Sequence, residues 1–556
     1  MVEEPRFLTR GFYACTNRGN QDFFLWMARN RMNFWIAVED NIPFLRKLGM
    51  KLTAGGHSIQ PDFLGPQMEY PYNHERFEGD ESKPRDPYAV GPDYRGDANR
   101  DGKLSYAEAH PEWYALRGGR RDRELHFNFC TSNVDAGREL SRNLIASLAS
   151  GKYRDADVVD FMMLDHHEWC ECKECTAQGT PTDRLLDLQH RAYNQIKAAR
   201  ADGCLNRDVQ VVTLAYMETL PPPTRPLPAD FDYDNCLVTF FPISRCYAHP
   251  LADPACTEIN RHTLNCYEDW AIGGSRFYRG GLFIGEYYNV SSIKSLPVLY
   301  SRIMAADIPW YYRTGVRHFH YMHTPTSLWG TWTLNQHLLA RLLWNPDADV
   351  ERLLDDYFRM YYPTTSQRTR RFYQHLEHAT ANIKAFKHHV WRGGKDYYCL
   401  PGLLDRAGKD IFPLDHLHYE RFTPTLNDAP DAVEIIEAMR RARQDIDDSL
   451  MECRDAIERA RLLEDERRFA YGEAMFGFLY HLARNMTFHH RGDEILARRE
   501  FLEVERMADR LRGVVDLVQV AYRHANAKNG LDASQAEPAY DFLKKRYAPA
   551  ASQPAR

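Results

Sequence analysis

The chain of 556 residues has no apolar run near the roughly 20 residues that cross a bilayer, and even the stretch 158–164 is interrupted by Asp160. A membrane-spanning helix is therefore not expected. Cysteine is scarce: 12 residues in this length are too dilute for a disulfide scaffold, and most stand singly in apolar surroundings, as Cys236 and Cys246 do. Charge of one sign is also lacking. The 71 basic and 77 acidic side chains leave a net charge of -6, which offers no general attraction to phosphate backbones or anionic lipids, so neither nucleic acid nor a membrane surface is an expected partner. Residues 1–9 lack the positive-then-apolar pattern of a signal peptide. The expected location, the periplasm or cell exterior, thus requires an export signal encoded upstream, and the cytoplasm is the alternative. No internal repeat and no motif for an organic cofactor are read. What the chain does have is apolar residues at 44% and charged residues at 27%, enough for a sizeable core. Aromatic residues are plentiful, with 28 Phe, 32 Tyr and 10 Trp, and such rings suit sugar faces and protein cores equally well.

Short β-rich segments alternate with helical patterns through residues 9–345, which predicts parallel strands joined by helical crossovers. The strand candidates are 10–14, 33–38, 51–56, 158–165, 209–217, 236–243, 281–288 and 318–323. Helices are expected at 21–30, 183–201, 295–314 and 334–343, with Asn133 capping a further one. A ninth apolar piece, 126–131, is assigned to a long excursion after the third strand. Eight βα units of this length predict an α/β fold, a (β/α)8 TIM barrel over 1–348, whose active site would lie at the C-terminal strand ends. From 349 to 548 the periodicity is helical and predicts an α-helical C-terminal domain, with an irregular connection at 390–430 and a disordered tail at 549–556.

The sharpest motif is Asp97-Ala-Asn99-Arg-Asp101-Gly102-Lys103-Leu-Ser105-Tyr-Ala-Glu108, which carries an EF-hand calcium loop's residues at its diagnostic offsets. Asp97, Asn99 and Asp101 offer side-chain oxygens, Lys103 its carbonyl and Glu108 a bidentate carboxylate. A structural Ca2+ is expected; Gly91-Pro92 and Gly96 leave no entering helix, so the loop reads as a clip rather than a sensor. A second cluster, Asp165-His166-His167-Glu168-Trp169-Cys170-Glu171-Cys172-Lys173-Glu174-Cys175, follows the fourth strand. Cys170, Cys172 and Cys175 could hold Zn2+ with a fourth ligand such as Cys130 or a histidine. A disulfide plus a free thiol, or three reduced cysteines shaping a turn, are the alternatives. Asp165 and Glu168 at this strand end form a carboxylate pair of the kind that supplies an acid of raised pKa. Glu286 ends the seventh strand before Tyr287 and Tyr288, where a base, a nucleophile or an ion pair with Arg313 or Arg245 would fit. Tyr216 and Glu218, Arg245, and His320 and His323 stand at other strand ends.

The stretches Arg10-Gly-Phe-Tyr, Phe24-Leu-Trp-Met-Ala-Arg-Asn-Arg-Met-Asn33, Gly55-Gly-His57, His110-Pro-Glu-Trp-Tyr-Ala-Leu116, Trp169-Cys-Glu-Cys-Lys-Glu-Cys175, Leu214-Ala-Tyr216 and Leu342-Leu-Trp-Asn-Pro346 resemble bacterial domain-of-unknown-function family 4838. That family is similar in pattern to the family 67 α-glucuronidases and, more distantly, to the family 20 hexosaminidases. The resemblance covers roughly 8–380 and implies a TIM barrel, a helical C-terminal region and a carbohydrate-active role. It implies Glu168 as the acid and Glu286 as base or nucleophile, although Asp165-His-His-Glu168 is not the α-glucuronidase acid motif.

The expected function is a glycoside hydrolase, α-glucuronidase-like, acting on a poly- or oligosaccharide, uronic-acid-containing glycans included, by two-carboxylate chemistry. Glu168 would protonate the leaving oxygen, with Asp165 tuning it or serving instead, and Glu286 would activate water or attack the anomeric carbon. His57, His166, Tyr216, Arg245, Tyr287 and Trp329 would hold the sugar. The rival readings are a non-catalytic glycan-binding or surface protein that keeps the barrel as scaffold, and a zinc-dependent hydrolase built on the cysteine and histidine cluster.

Overall fold

The computed structural model describes residues 4–13, 19–36, 41–77, 81–165, 167–247, 249–273, 276–288, 296–322, 330–381, 432–515 and 536–547. Eight parallel strands close a barrel: β1 (Thr9–Tyr13), β2 (Phe34–Ile36), β3 (Lys51–Gly56), β4 (Val158–Phe161), β5 (Gln210–Ala215), β6 (Cys236–Phe240), β7 (Leu282–Glu286) and β8 (His318–Met322). Each pairs with the next along the chain, and β8 returns to β1 with Thr9 opposite His318. The expected (β/α)8 barrel is thus present. Several strands stop short of their expected C-terminal ends; β4 leaves the ladder at Phe161, so Asp165 and Glu168 ride on the following loop. The piece 126–131 lies in no strand and belongs to the excursion between β3 and β4.

Local chemistry accounts for the crossover helices. Asn133 accepts a hydrogen bond from the Ala136 N–H at 2.9 Å and opens helix Val134–Ser150. Helix Pro181–Ala201 starts from a capping box in which Thr180 and Asp183 satisfy each other's backbone N–H, with Pro181 at the first position, where its missing N–H costs nothing. Helices Gln21–Arg29, Ser301–Arg313 and Trp332–Trp344 fall where the 3.6-residue period places them.

The chain divides into two compact units, one of 1–244, 261–287 and 311–322, the other of 245–260, 288–310 and 323–556. The second unit contains helices Val350–Tyr361, Ser366–Thr380, Ala432–Glu452, Ala456–His490, Glu494–Val515 and Ala536–Tyr547, as the helical periodicity predicted. The connection at 390–430 and the tail at 549–556 lie outside the described residues.

Successive side chains on a strand alternate between the barrel axis and the helices. Phe34, Val158, Val212, Leu237 and Phe283 meet in one buried cluster. Among residues of the same parity are Asp160 and His320, both wholly enclosed. Thr53 donates its hydroxyl to Asp160, yet burial still pushes that carboxyl up to about 7. In the helical unit, burial likewise raises Asp465 to about 8 against hydrogen bonds from Tyr362 and Tyr373. Burial lowers His318 and His320 to about 3, so both are neutral at ordinary pH.

These shifts have opposite signs. The two aspartates bind a proton more tightly when folded, so their contribution is complete below their unfolded value near 4 and is lost as pH rises through about 7 and 8. The histidines contribute above their unfolded value and lose it as pH falls toward about 3. Between about pH 4 and 6.5 the two effects offset each other, so melting temperature should hold there and then fall from about pH 6.5 to 8, where the aspartates' loss continues after the histidines' gain is complete. Replacing Asp160 and Asp465 by Asn should flatten that alkaline limb in a calorimetric pH series. An unchanged limb would mean that neither carboxyl is protonated in the folded state.

Candidate active site

Gly55 and Gly56 end β3 at φ 112° and 99°, a region that side chains avoid, and an added Cβ on Gly55 would lie 2.5 Å from the Asp160 carbonyl oxygen. This turn delivers His57 to the C-terminal mouth of the barrel. The imidazole Nδ1 donates to the Met163 carbonyl at 2.6 Å, which fixes the ring and leaves Nε2 facing the Asp165 carboxylate at 3.8 Å. A carbonyl can only accept, so Nδ1 carries a hydrogen. A proton bound at Nε2 or on Asp165 then sits between two bases, and an oxygen placed between them could give or take it.

A belt of rings continues from this pair. Tyr216 lies 6.3 Å from His57, Phe241 6.0 Å from Tyr216, Tyr287 5.8 Å and His320 5.6 Å from Phe241, and Tyr13 5.4 Å from His320. Of the predicted sugar-holding residues, His57, Tyr216 and Tyr287 come together here. Tyr13 and Phe241 were missed, although strand parity on β1 and β6 would have found them. His166, His323 and Trp329 lie outside the described residues. Among the described residues, both ring nitrogens of His320 are buried without a hydrogen-bond partner.

The carboxylates separate. Asp165 is half-exposed beside His57. Glu168 is 63% exposed and accepts from Arg117 Nη2 at 2.8 Å, while Arg117 also reaches Glu171 at 3.3 Å. Asn128 braces this loop by donating to the His167 carbonyl and accepting from the Leu164 N–H, both at 2.8 Å. Glu286 does not join the ring belt. Phe283 packs in the interior cluster, and a Cβ on Gly285 would meet the Phe241 ring at 2.2 Å, so these two positions face the axis and the pleat turns Glu286 outward. There it is fully buried and accepts from the Tyr311 hydroxyl at 2.7 Å. Arg245 also differs from the expectation of a sugar ligand. It is fully buried, with Nη1 at 2.6 Å from Asp307, and donates to the Cys246 and His249 carbonyls at 3.2 and 3.0 Å. Glu218 is exposed on the short turn Met217–Thr219.

In the EF-hand-like loop, Asp97 accepts from the N–H groups of Arg100, Asp101 and Gly102, and Glu108 from those of Ala98, Asn99 and Ser105. Gly102 makes the turn at φ 81°. Among the described residues, the groups of three or more donor atoms lying within 4.8 Å of one another are Cys130, Cys170, Cys172 and Cys175, and Cys246, His249 and Cys256. The carboxylates of Asp97, Asp101 and Glu108 do not form such a group, and backbone N–H groups hold those of Asp97 and Glu108.

The model of the family described as a domain of unknown function, DUF4838, matches residues 99–374. This stretch belongs to DUF4838. The first three strands precede the matched segment, and the DUF4838 stretch supplies β4 to β8 together with Asp165 and the cysteine cluster. Among solved structures, the chain is similar to a GH138 enzyme targeting pectin rhamnogalacturonan II. The TM-score is 0.51 at 10% identity over 98% of this chain and 83% of that one. It is also similar to a family GH115 4-O-methyl-α-glucuronidase with specificity for decorated arabinogalactans. There the TM-score is 0.50 at 10% identity, over 100% of this chain and 64% of that one. At such identity the likeness is one of fold. No curated protein matches the chain in sequence.

Proposed function

We propose that the protein is a glycoside hydrolase acting on a poly- or oligosaccharide, with the barrel mouth as sugar seat and Asp165 as its proton-transferring carboxyl. The observation that carries this reading is the His57–Asp165 pair at the strand ends, flanked by the ring belt of Tyr216, Phe241 and Tyr287. Glu168, three residues on along the same loop, is the second carboxyl, released for chemistry when substrate displaces Arg117. The GH115 neighbour's glucuronidase activity makes uronic-acid-bearing glycans the first substrates to try. A second reading, a glycan-binding scaffold, is favoured by one fact: Glu286 is turned away and Glu168 is neutralised, which leaves Asp165 as the carboxylate paired with a residue of the belt. Digestion of a polysaccharide panel decides between them. Time-dependent release of new reducing ends supports the hydrolase; saturable binding of a glycan without product would replace it with the scaffold.

The loop 97–108 is proposed to take structural calcium. Its donors are all hard oxygens, and the Gly102 turn suits the ion, which would draw Glu108 off the Ala98 and Asn99 N–H groups. Millimolar-scale calcium should raise the melting temperature, and Glu108→Gln should abolish the rise. Identical melting curves in calcium and in chelator would remove the site.

A further inference from the structure

The excursion after β3 and the loop after β4 converge on four cysteine sulfurs. Cys130, Cys170, Cys172 and Cys175 are all buried, and their Sγ atoms lie within 4.8 Å of one another. Cys130 Sγ is 3.7 Å from both Cys172 Sγ and Cys175 Sγ. A disulfide would need about 2.05 Å, whereas the edge of a zinc tetrathiolate tetrahedron with bonds of about 2.3 Å is close to 3.8 Å. Polar hydrogens also point at the sulfurs. The Leu116 N–H lies 3.3 Å from Cys170 Sγ and the Cys175 N–H 3.4 Å from Cys172 Sγ. Such donors stabilise thiolates, and a purely apolar cluster would have no use for them.

We propose that these four cysteines bind one zinc ion as a closed structural site, with Cys130 as the fourth ligand. Four thiolates fill a tetrahedron and leave no position for water, so the site is not hydrolytic and the reading of a zinc hydrolase on this cluster falls with it. Its work is mechanical. The Leu116 carbonyl accepts from the Glu171 N–H at 3.0 Å, and the Trp113 carbonyl accepts from the Cys130 N–H at 2.8 Å. The zinc would therefore rivet the 113–130 segment to the loop that presents Asp165 and Glu168. This inference is independent of the glycosidase reading, and its test uses no substrate.

Protein purified without chelator should contain one zinc per chain by elemental analysis, and exchange with cobalt should give the visible and near-ultraviolet bands of a tetrahedral thiolate site. Cys130→Ser and Cys172→Ser should each lose the metal, and limited proteolysis should then cut within 113–130 and 165–175. Cys256→Ser, in the other thiol group, should keep it. Should the serine variants fail to fold, the cobalt spectrum of the wild-type chain still decides. Four thiols freely alkylated in folded metal-free protein, a mass lighter by two or four hydrogens, iron in place of zinc, or metal lost in Cys256→Ser alone would each overturn the proposal.

Discussion

Replacing Asp165 by asparagine is expected to lower turnover on a cleavable glycan by about 10² to 10⁴-fold, the range that general acid–base catalysis contributes, with the melting temperature nearly unchanged. The carboxylate is half-exposed, so little folding free energy depends on it, and the asparagine keeps its shape while deleting the transferable proton. His57→Gln should lose part of the same rate, because Nε2 then no longer shares the proton. Glu168→Gln separates the roles further. If Glu168 were only the partner of Arg117, an exposed ion pair worth at most ~1 kcal/mol, turnover would hold. As the second carboxyl of a glycosidase, it should show its loss most on substrates with poor leaving groups. Glu286→Gln should act on stability instead, by about 1 to 3 kcal/mol, since it perturbs a buried hydrogen bond to Tyr311. Wild-type turnover in Asp165→Asn on a confirmed substrate would end the assignment.

The second large effect belongs to Arg245. Removing one member of a fully buried ion pair leaves the other charge without compensation and costs about 3 to 5 kcal/mol. Arg245→Met should therefore lower the melting temperature by several degrees, because Asp307, which also accepts from the Leu251 N–H at 2.9 Å, would lose its buried counter-charge. The double variant Arg245→Met/Asp307→Leu should recover much of the loss, since replacing a buried pair by apolar groups is often neutral. A sugar-binding arginine would behave otherwise, with KM raised and melting temperature intact. Recovery in the double variant together with the thermal loss in the single one is what the geometry predicts.

The barrel was legible in the sequence because its information is local. Short apolar, β-rich segments, helix caps such as Asn133 and Thr180, and crossovers of helical length each act within a few residues, and their alternation leaves few topologies to choose from. The family resemblance and the candidate cysteines were local as well, since a motif is a string. What lay beyond the sequence was where each side chain points and what stands opposite. Glu286 and Tyr287 are neighbours, yet the pleat sends one to a tyrosine on helix Ser301–Arg313 and the other to the ring belt. Strand parity would reveal this, but only once Gly285 is known to face inward, which depends on the close approach of Phe241 from the end of β6. Arg245 reads as a strand-end ligand until Asp307, distant in sequence, closes on it. Cys130 was one possible fourth ligand among several until the fold brought it to 3.7 Å from Cys172 and Cys175. Strands, helices and motifs follow from the order of residues because their energetics are set by near neighbours in the chain. Partners follow from tertiary structure because burial, pairing and desolvation depend on groups that only folding brings together.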